Sequence, residues 1–424
     1  MQTDSTIRTS FDGMRTTEFP PAESVAVERL DENLHFGRAW HRYRYCYPRP
    51  EPSMLRILDA ACGTGRATAE AAQLNPQAHV LGIDASSAAL PFARERAESL
   101  GLLENVAFLE HDPARPLPET LGRFDFVICR GGLAGVDDPA RVLKGLAEAL
   151  DPAGLLYLTL PSRVGRAASR SLRQAIDAIV PATSGALEEE RYRVGLEVVL
   201  SLHADHPIRV RVTELGLEGD LERFVADCLS DSLDWSYDEA KCLLEEAGLR
   251  LLYLATPWRW RPDRVFSAGT LSDSVRDRIE RLDPEAVGRL IDALDSSLLS
   301  SEFPLYACHQ RFIPRIPSWV TSRADDPEIF DRLVPHLTGL MTPLAGGQGN
   351  SGGRLIYRTV SGAFGELDRW SSLLLGAVDG AKTCGEIEKS LARRTRASDE
   401  PTTRHERWID LADGGLVFLE ELPS

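Results

Sequence analysis

Residues 55–160 alternate short apolar runs with helical patterns, and this alternation constrains the fold more than any other feature of the chain. The apolar runs predict five strands: Leu55–Asp59, His79–Asp84, Val106–Glu110, Phe124–Cys129 and Leu155–Leu160. Helices are predicted between them, near Arg66–Leu74, Ser87–Leu100 and Pro139–Leu150. Because strands joined by helical crossovers pair in parallel, the alternation predicts an α/β fold with a doubly wound sheet.

The most informative segment within this region is LDAACGTGR, residues 58–66. An apolar strand ends in Asp59, and a turn containing Gly63 and Gly65 then leads into a helix. Glycines let the backbone approach a ligand closely, and a helix N-terminus offers unpaired N–H groups. Many nucleotide-binding folds use such a turn, so the turn alone leaves the ligand open.

Carboxylates at the ends of three consecutive predicted strands narrow the choice of ligand. Asp84 follows the second strand, where a carboxylate can accept hydrogen bonds from ribose hydroxyls. Asp112 follows the third strand and is suited to accept a hydrogen bond from an exocyclic amine. Together with Asp59, these groups fit an uncharged nucleoside better than a dinucleotide, whose phosphates they would repel.

These motifs, in this order and at this spacing, resemble the class I S-adenosylmethionine-dependent methyltransferases over roughly residues 50–162. LDAACGTG resembles their first motif, and VLGIDASSAALPFARERA is similar to their second. The run FDFVICRGGLAGVDDPARVLKGLAEALDPAGLLYLTLP resembles their fourth strand, the helix after it and their fifth strand. Ala61 departs from the pattern, since the family commonly has glycine there. The resemblance implies a Rossmann-like seven-stranded sheet and S-adenosylmethionine as the cofactor.

The resemblance also implies roles for the residues at the strand ends. The cofactor-binding residues expected from it are Asp59, Ala61, Cys62, Gly63, Gly65, Asp84, Ala85, Asp112 and Cys129. Asp59 is expected near the amino-acid end of the cofactor, Asp84 at the ribose and Asp112 at the adenine amine. Cys129 and Arg130, at the tip of the fourth strand, are expected to face the methionine portion of the cofactor and the substrate. Arg130 is the first candidate catalytic residue, since it can bind a carboxylate of the substrate or of the cofactor, and the alternative is a structural role.

Tyr45 is the second candidate catalytic residue. It belongs to the aromatic and basic segment WHRYRYCY, residues 40–47, which precedes the first motif. A tyrosine there can exclude water from the cofactor or orient an acceptor amine, and the alternative is that the segment only packs against the sheet. Methyl transfer depends on alignment and an unsolvated nucleophile, so the cofactor motifs themselves require no catalytic side chain.

The rest of the chain predicts additions to this core. Strands at Leu249–Ala255 and Leu305–Ile313 are expected to complete the sheet as an antiparallel hairpin, and helices are predicted at Ser272–Leu299 and Pro327–Leu340. Ser236 and Glu239 form a capping box at the start of a helix that ends at Gly248. The predicted divisions are an N-terminal arm or lid (1–50), the Rossmann-like core (51–162 and 236–315), a helical insertion (163–235) and a small α+β, winged-helix-like domain (316–424).

This layout more loosely resembles a bacterial methyltransferase group that has a regulatory helical domain and a C-terminal winged-helix-like domain. The segments that carry the similarity include LTLPSRVGRAASRSLRQAI, LYACHQRF and LIYRTVSGAFGELDRWSSLLLGAVDGAKTCGEI. Some members of that group methylate protein lysines, so the resemblance implies a protein acceptor.

Composition and charge argue against nucleic acid, membrane and metal as partners or ligands, and they indicate a compartment. With 64 acidic and 48 basic residues the net charge is −16, which disfavours nucleic acid as a partner. No run reaches the roughly 18 to 20 apolar residues of a membrane span, so no membrane is expected. Seven dispersed cysteines without a CxxC pair indicate a reducing, cytoplasmic compartment. His203, Asp205 and His206 are too crowded to hold a metal, and none is expected.

The sequence therefore predicts an S-adenosylmethionine-dependent methyltransferase that transfers a methyl group by direct displacement to a protein or peptide side chain. Two alternatives stay open: a small-molecule O- or N-methyltransferase of specialised metabolism, and a cofactor-binding regulatory protein without turnover. The oligomeric state is open as well, and a homodimer is compatible with the sequence.

Overall fold

The structure is a computed structural model that describes residues 30–37, 54–181, 187–229, 233–255, 260, 262–266, 270–294, 302–311, 332–337, 341–343, 355–359, 364–367, 369–395, 407–408, 411–412 and 417–421. These residues form two compact units. The first comprises the described residues within Arg56–Arg66 and Val80–Gln310, and the second those within Pro21–Leu55, Ala67–His79 and Arg311–Ser424. No helix of the described ranges has the length and apolarity needed to cross a bilayer.

A seven-stranded sheet provides the framework. Its strands are β1 (Arg56–Ala60), β2 (His79–Asp84), β3 (Val106–Glu110), β4 (Phe124–Arg130), β5 (Leu150–Pro161), β6 (Leu249–Leu254) and β7 (Glu302–His309). The strand order is β3-β2-β1-β4-β5-β7-β6. β2 pairs with β3, β1 with β4 and β4 with β5 in parallel, while β7 runs antiparallel to both β5 and β6. The predicted Rossmann-like seven-stranded sheet with an antiparallel hairpin is confirmed.

The central strands were predictable because parallel strands covered on both faces read as continuous apolar runs. In β4, FDFVICR, every residue except the last is buried, and in β1 every residue except the first is buried. The observed bounds of β1 to β4 lie within one residue of those predicted. β5 begins five residues earlier than predicted, and Pro152 and Gly154 lie within it.

Helices connect the strands and form the insertion after β5. The helices of the first part of the chain are α1 (Arg66–Leu74), α2 (Leu90–Ser99), α3 (Pro139–Ala149), α4 (Ala167–Ile179), α5 (Glu188–Ser201), α6 (Pro207–Glu214), α7 (Leu221–Phe224), α8 (Tyr237–Glu246), α9 (Pro262–Val265), α10 (Asp273–Glu280) and α11 (Pro284–Leu294). Short 3-10 turns occupy Glu32–Leu34, Glu119–Leu121 and Leu217–Gly219, and a π turn occupies Val225–Leu229.

The helical stretch predicted over Ser272–Leu299 consists of two helices, α10 and α11, as far as Leu294, and residues 295–299 lie outside the described residues. Pro284 cannot continue a preceding helix, since it lacks a backbone N–H and its ring clashes with the turn before it. Asp283 instead starts the new helix, and its Oδ1 accepts a hydrogen bond from the Ala286 N–H at 2.7 Å.

The insertion between β5 and α8 has an apolar core of its own. The buried residues of this core are Leu172, Ile176, Val199, Val212, Leu217, Phe224, Val225, Cys228 and Leu229. The two ends of the insertion meet beside β5, where Ser162 forms a parallel bridge with Trp235. The Trp235 N–H donates to the Pro161 carbonyl at 2.9 Å, and the Arg163 N–H donates to the Trp235 carbonyl at 2.9 Å.

The last part of the chain is mixed α and β. Its elements are β8 (Leu333–Leu337), β9 (Met341–Pro343), β10 (Leu355–Thr359), β11 (Phe364–Leu367), α12 (Arg369–Gly376), α13 (Cys384–Thr395) and β12 (Val417–Glu421). The predicted helix Pro327–Leu340 is wrong, since Leu333–Leu337 is a strand that pairs antiparallel with β12. Pro335 explains this outcome, because a proline in the interior of a helix removes one hydrogen bond and clashes with the previous turn. The winged-helix assignment stays a prediction.

The capping box that begins α8 generates a test of local stability. The Ser236 Oγ accepts from the Glu239 N–H at 3.4 Å, and the Glu239 Oε2 accepts from the Ser236 N–H at 2.8 Å. We expect Ser236→Ala to lower the free energy of unfolding by about 1 kcal/mol in urea titrations, because a helix donor loses its acceptor.

The matched control is Ser272→Ala, at the start of α10, where the serine side chain makes no capping hydrogen bond. We expect this variant to stay within about 0.5 kcal/mol of the wild type. Equal losses in the two variants would contradict a stabilising role for the Ser236 hydroxyl.

Candidate functional site

The carboxyl ends of β1 and β4 mark the candidate site. The sheet runs from β1 through β2 to β3 on one side, and through β4 to β5 on the other, so the order of strands reverses between β1 and β4. In open α/β sheets, ligands bind in the crevice outside the carboxyl ends of the strands at such a switch point. The residues that follow β1 and β4 are therefore the first candidates for ligand contacts.

The turn after β1, residues 61–65, has a left-handed backbone at three positions. Its φ angles are 57° at Ala61, 52° at Gly63 and 75° at Gly65. Ala61 is the one non-glycine residue with a positive φ in the described ranges. A side chain in this conformation costs about 1 to 2 kcal/mol, which is the physical consequence of alanine standing at a position where glycine is usual.

Gly65 brings the turn against α2. A Cβ atom on Gly65 would lie 2.8 Å from the Ala93 Cβ and 2.9 Å from the Ala93 Cα, so no larger residue fits without displacing the helix. The Arg96 Nη1 adds a hydrogen bond of 3.0 Å to the Thr64 carbonyl. The turn is therefore held close to its neighbours on this side.

Asp84, at the end of β2, organises the same turn. Its Oδ2 accepts a hydrogen bond from the Gly63 N–H at 2.8 Å, and its Oδ1 accepts one from the Ser86 N–H at 2.8 Å. Asp84 is only 3% exposed, and Ala85, which lies between Asp84 and Ser86 in the sequence, is half-buried. The sequence predicted that Asp84 contacts a ligand, but it did not predict that this carboxylate also fixes the glycine turn.

Asp112 lies at the same edge, one strand further along. The His111 N–H donates to the Asp84 carbonyl at 2.9 Å, which ties the end of β3 to the end of β2. The Asp112 Oδ1 accepts from the Ala114 N–H at 2.8 Å, and its Oδ2 lies 3.4 Å from the Arg115 Nε. The Asp112 side chain keeps 20% of its surface exposed, so part of it is accessible to a ligand.

Cys129 closes the floor of the crevice. It is fully buried at the end of β4, and its neighbour Asp59 on β1 is 1% exposed. Burial, with a contribution from the Asp59 carboxylate, raises the pKa of the Cys129 thiol to about 12, although the Gly132 N–H opposes this shift. Cys129 is therefore a protonated, unreactive thiol near neutral pH.

Two glycines follow β4 and were not singled out from the sequence. Gly131 has a φ of 75°, and its N–H donates to the Thr159 Oγ1 on β5 at 3.0 Å. A Cβ on Gly132 would lie 2.7 Å from the Ala61 Cβ and 2.9 Å from the Cys129 Sγ. The paired glycines directly after an apolar strand were the signal that would have revealed this second turn.

The other candidates are placed as follows. Cys62 is buried within the turn, where its N–H donates to the Ile83 carbonyl at 2.9 Å, and Arg130 is half-buried. Tyr45 lies outside the described residues. His206 caps α6, since its Nδ1 accepts from the Ile208 N–H at 3.3 Å. No group of three or more His, Cys, Asp or Glu side chains within the described ranges is arranged to hold a metal.

Comparison with known protein families matches residues 52–191 to the methyltransferase domain. These residues are a class I methyltransferase domain. S-adenosylmethionine is the methyl donor of this family, in agreement with the prediction from the motifs.

Curated relatives support the same domain. An uncharacterised protein of Synechococcus sp. is 34% identical over 274 residues, which cover 62% of this chain and 64% of that protein. The trans-aconitate 2-methyltransferase of Deinococcus radiodurans is 37% identical over 123 residues, covering 29% of this chain and 44% of the enzyme. The chain thus spans less than two thirds of the length of these relatives.

Among solved structures, PKMT2 from Rickettsia typhi has a similar fold. Its TM-score is 0.60 at 14% identity, and the match covers 95% of this chain and 77% of PKMT2. A second structure of PKMT2, in complex with AdoHcy, has a TM-score of 0.56 at 13% identity and covers 91% of this chain and 76% of PKMT2. At this level of identity the likeness extends to the fold alone.

The methyltransferase domain has groups suited to an adenosine. Ser86 is 4% exposed, and its hydroxyl has no hydrogen-bond partner within the described part of the chain. Buried hydroxyls are normally satisfied, so this group, next to the Asp84 carboxylate, is poised for a polar ligand such as a ribose. Because Gly63 and Gly131 carry no side chain, a ligand can approach the backbone of both turns closely. The residues present fit the cofactor of the family.

The contact between the two turns generates a stability prediction. We expect Gly132→Ala to lower the free energy of unfolding by about 2 kcal/mol, because its Cβ would overlap the Ala61 Cβ and the Cys129 Sγ. Adding Ala61→Gly should recover part of the loss, with a coupling of about 1 kcal/mol in a double-mutant cycle measured by urea unfolding.

Gly219→Ala serves as the control, since a Cβ there meets nothing within 4 Å. Additive effects of Ala61→Gly and Gly132→Ala would show that the two turns do not contact each other as described.

Proposed function

We propose that the chain is an S-adenosylmethionine-dependent methyltransferase that acts at the β1–β4 switch point and methylates a protein or peptide side chain. The observation that carries this proposal is the edge itself, where a left-handed glycine turn and the carboxylates of Asp59, Asp84 and Asp112 lie at the carboxyl ends of three neighbouring strands. Such an edge suits an uncharged nucleoside attached to an amino acid.

Each carboxylate has its own part in this proposal. Asp84 and the Ser86 hydroxyl bind the ribose, Asp112 accepts from the adenine amine, and Asp59 orients the amino-acid end through water or backbone groups. The turn at residues 61–65 brings its backbone close to the cofactor, and Ala85 lines the ribose side. When bound, S-adenosylmethionine supplies a sulfonium methyl group that an acceptor can displace directly.

The chain's contribution to the reaction is alignment and exclusion of water. Cys129 contributes a protonated, apolar wall, because its raised pKa keeps the thiol neutral at physiological pH. Arg130, at the tip of β4, orients the acceptor. Tyr45 stays a prediction, with a role in covering the cofactor.

Three features support a protein or peptide acceptor. The net charge of −16 favours basic partners over nucleic acid or acidic ligands. The insertion between β5 and α8 follows the carboxyl end of β5, where it can shape a surface for the acceptor. The likeness to PKMT2 extends over 95% of the chain rather than over the methyltransferase domain alone.

A small-molecule acceptor is the second candidate. The relative that favours it is the trans-aconitate 2-methyltransferase of Deinococcus radiodurans, whose similarity covers 29% of this chain. Because that similarity is confined to the shared domain, it carries less weight for the acceptor than for the cofactor.

The ribose assignment gives a binding prediction. We expect Asp84→Asn to weaken S-adenosylmethionine binding by roughly 10- to 100-fold in calorimetry, since an amide cannot replace both acceptor oxygens. Asp151→Asn is the matched control, because Asp151 also accepts a backbone N–H, that of Ala153 at 2.9 Å, but it lies at the start of β5. Unchanged affinity in Asp84→Asn would refute the ribose assignment.

The acceptor class is tested by labelling. Lysate incubated with the protein and methyl-labelled S-adenosylmethionine is separated into protein and low-mass fractions, and each is analysed by mass spectrometry. We expect the label in the protein fraction. Label confined to low-mass compounds would favour the second candidate, and cofactor binding without any labelled acceptor would favour a regulatory protein without turnover.

A further inference from the structure

Glu302, the first residue of β7, lies at the same edge of the sheet as the switch-point crevice. β7 runs antiparallel to β5, with Glu302 opposite Pro161, so the start of β7 adjoins the carboxyl end of β5. A Cβ placed on Gly131 would lie 4.0 Å from the Glu302 Oε1, and no other described atom beyond its chain neighbours comes within 4 Å. Among the described atoms, the Glu302 carboxylate is therefore the group nearest to the position that a side chain on Gly131 would occupy.

A chain of hydrogen bonds fixes this carboxylate relative to β4. The Gly131 N–H donates to the Thr159 Oγ1 at 3.0 Å, and the Thr159 hydroxyl is also hydrogen-bonded to Glu302. Since the hydroxyl already accepts from Gly131, its own hydrogen is the one available to the carboxylate. Thr159 thus links the end of β4 to Glu302 and orients the carboxylate.

Charged groups of both signs lie around Glu302. Arg130 on β4, Arg166 after β5 and Asp227 in the π turn are the charged groups that act on it. Arg166 is committed to Asp227, since its Nη2 donates to the Asp227 carbonyl at 2.7 Å and its Nε lies 3.6 Å from the Asp227 Oδ1. Together with Glu302, these described groups comprise two guanidinium groups and two carboxylates.

We propose that Glu302 binds the ammonium group of a lysine side chain beside Gly131 and removes its proton before methyl transfer. This inference rests on the proposed function and adds the reacting group of the acceptor. It also makes Glu302 a catalytic residue, because its carboxylate touches the acceptor nitrogen. Thr159 is a positioning residue that acts through Glu302.

The proton and electron pairs are accounted for. An N–H bond of the ammonium breaks, an O–H bond forms on Glu302, and the bonding pair stays on nitrogen. That pair forms the new N–C bond with the sulfonium methyl as the C–S bond breaks, and the pair of the C–S bond goes to sulfur. The proton on Glu302 then leaves to water, and the product is a methylated ammonium.

The electrostatics of the site support this role. Burial raises the pKa of Glu302, and Asp227 adds to the increase, while Thr159, Arg130 and Arg166 oppose it. The same low polarity lowers the pKa of an amine held against the carboxylate. The two pKa values therefore approach each other, which makes the proton transfer easier than in water.

The experiment compares wild type, Glu302→Gln, Glu302→Asp and Glu285→Gln. Glu285 on α11 is a suitable control, because its side chain is 51% exposed and pairs with Lys241 at 2.7 Å. Labelled methyl transfer to poly-L-lysine is measured from about pH 5 to about pH 9. Binding of n-butylammonium and of n-butyltrimethylammonium, which has no N–H, is measured by calorimetry with S-adenosylhomocysteine bound.

We expect Glu302→Gln to slow transfer by about 100-fold near neutral pH. The wild-type rate should level off above the pKa of Glu302, whereas the Glu302→Gln rate should keep rising with pH over the whole range, because the ammonium must then lose its proton to water. This variant should bind n-butylammonium about tenfold more weakly. Glu302→Asp should keep the levelling-off at a reduced rate, and Glu285→Gln should match the wild type. S-adenosylhomocysteine binding should be unchanged throughout, which shows that the variants fold.

Two results would overturn the inference. A wild-type pH profile and wild-type n-butylammonium binding in Glu302→Gln would remove Glu302 from the reaction, while leaving the proposed function intact. Failure of the wild type to methylate poly-L-lysine or to prefer n-butylammonium over n-butyltrimethylammonium would exclude a lysine acceptor, and labelling of other protein residues in lysate would then show that the proposed function survives.

Discussion

The Asp84 carboxylate is the interaction on which the rest of the site depends. By accepting the Gly63 N–H and the Ser86 N–H, it joins the end of β2 to the turn after β1. Gly63 and Asp84 are 21 residues apart in the sequence. A buried carboxylate needs such partners, because an unsatisfied charge in the interior costs several kcal/mol. The glycine turn therefore owes its shape to the residue that is also proposed to hold the ribose.

The sheet and its central motif were predictable because their signals are local. Buried parallel strands such as β4 read directly as apolar runs, and the glycine turn follows β1 without a gap in the sequence. The same holds for the capping box at Ser236 and Glu239, which the structure reproduces in both of its hydrogen bonds. Each of these features is settled by residues within a few positions of one another.

The remaining features depend on contacts that sequence spacing does not reveal. Leu333–Leu337 pairs with Val417–Glu421, about 80 residues away, and this pairing overrides the helical pattern around it. Glu302 reaches the end of β4 only because β7 enters the sheet beside β5 in the antiparallel sense. The contact of Asp84 with the turn after β1 was hidden for the same reason, since a carboxylate at a strand end predicts a ligand contact but not a hydrogen bond to a neighbouring turn.

The bridge between Ser162 and Trp235 has a wider meaning for the evolution of the chain. Because the segment between them leaves and re-enters at adjacent points and has its own core, its length and sequence can change while the strands on either side keep their register. Natural variants could exchange this segment for another of different shape and so acquire new target preferences. The edge formed by the carboxyl ends of β1 to β4 would be inherited without alteration.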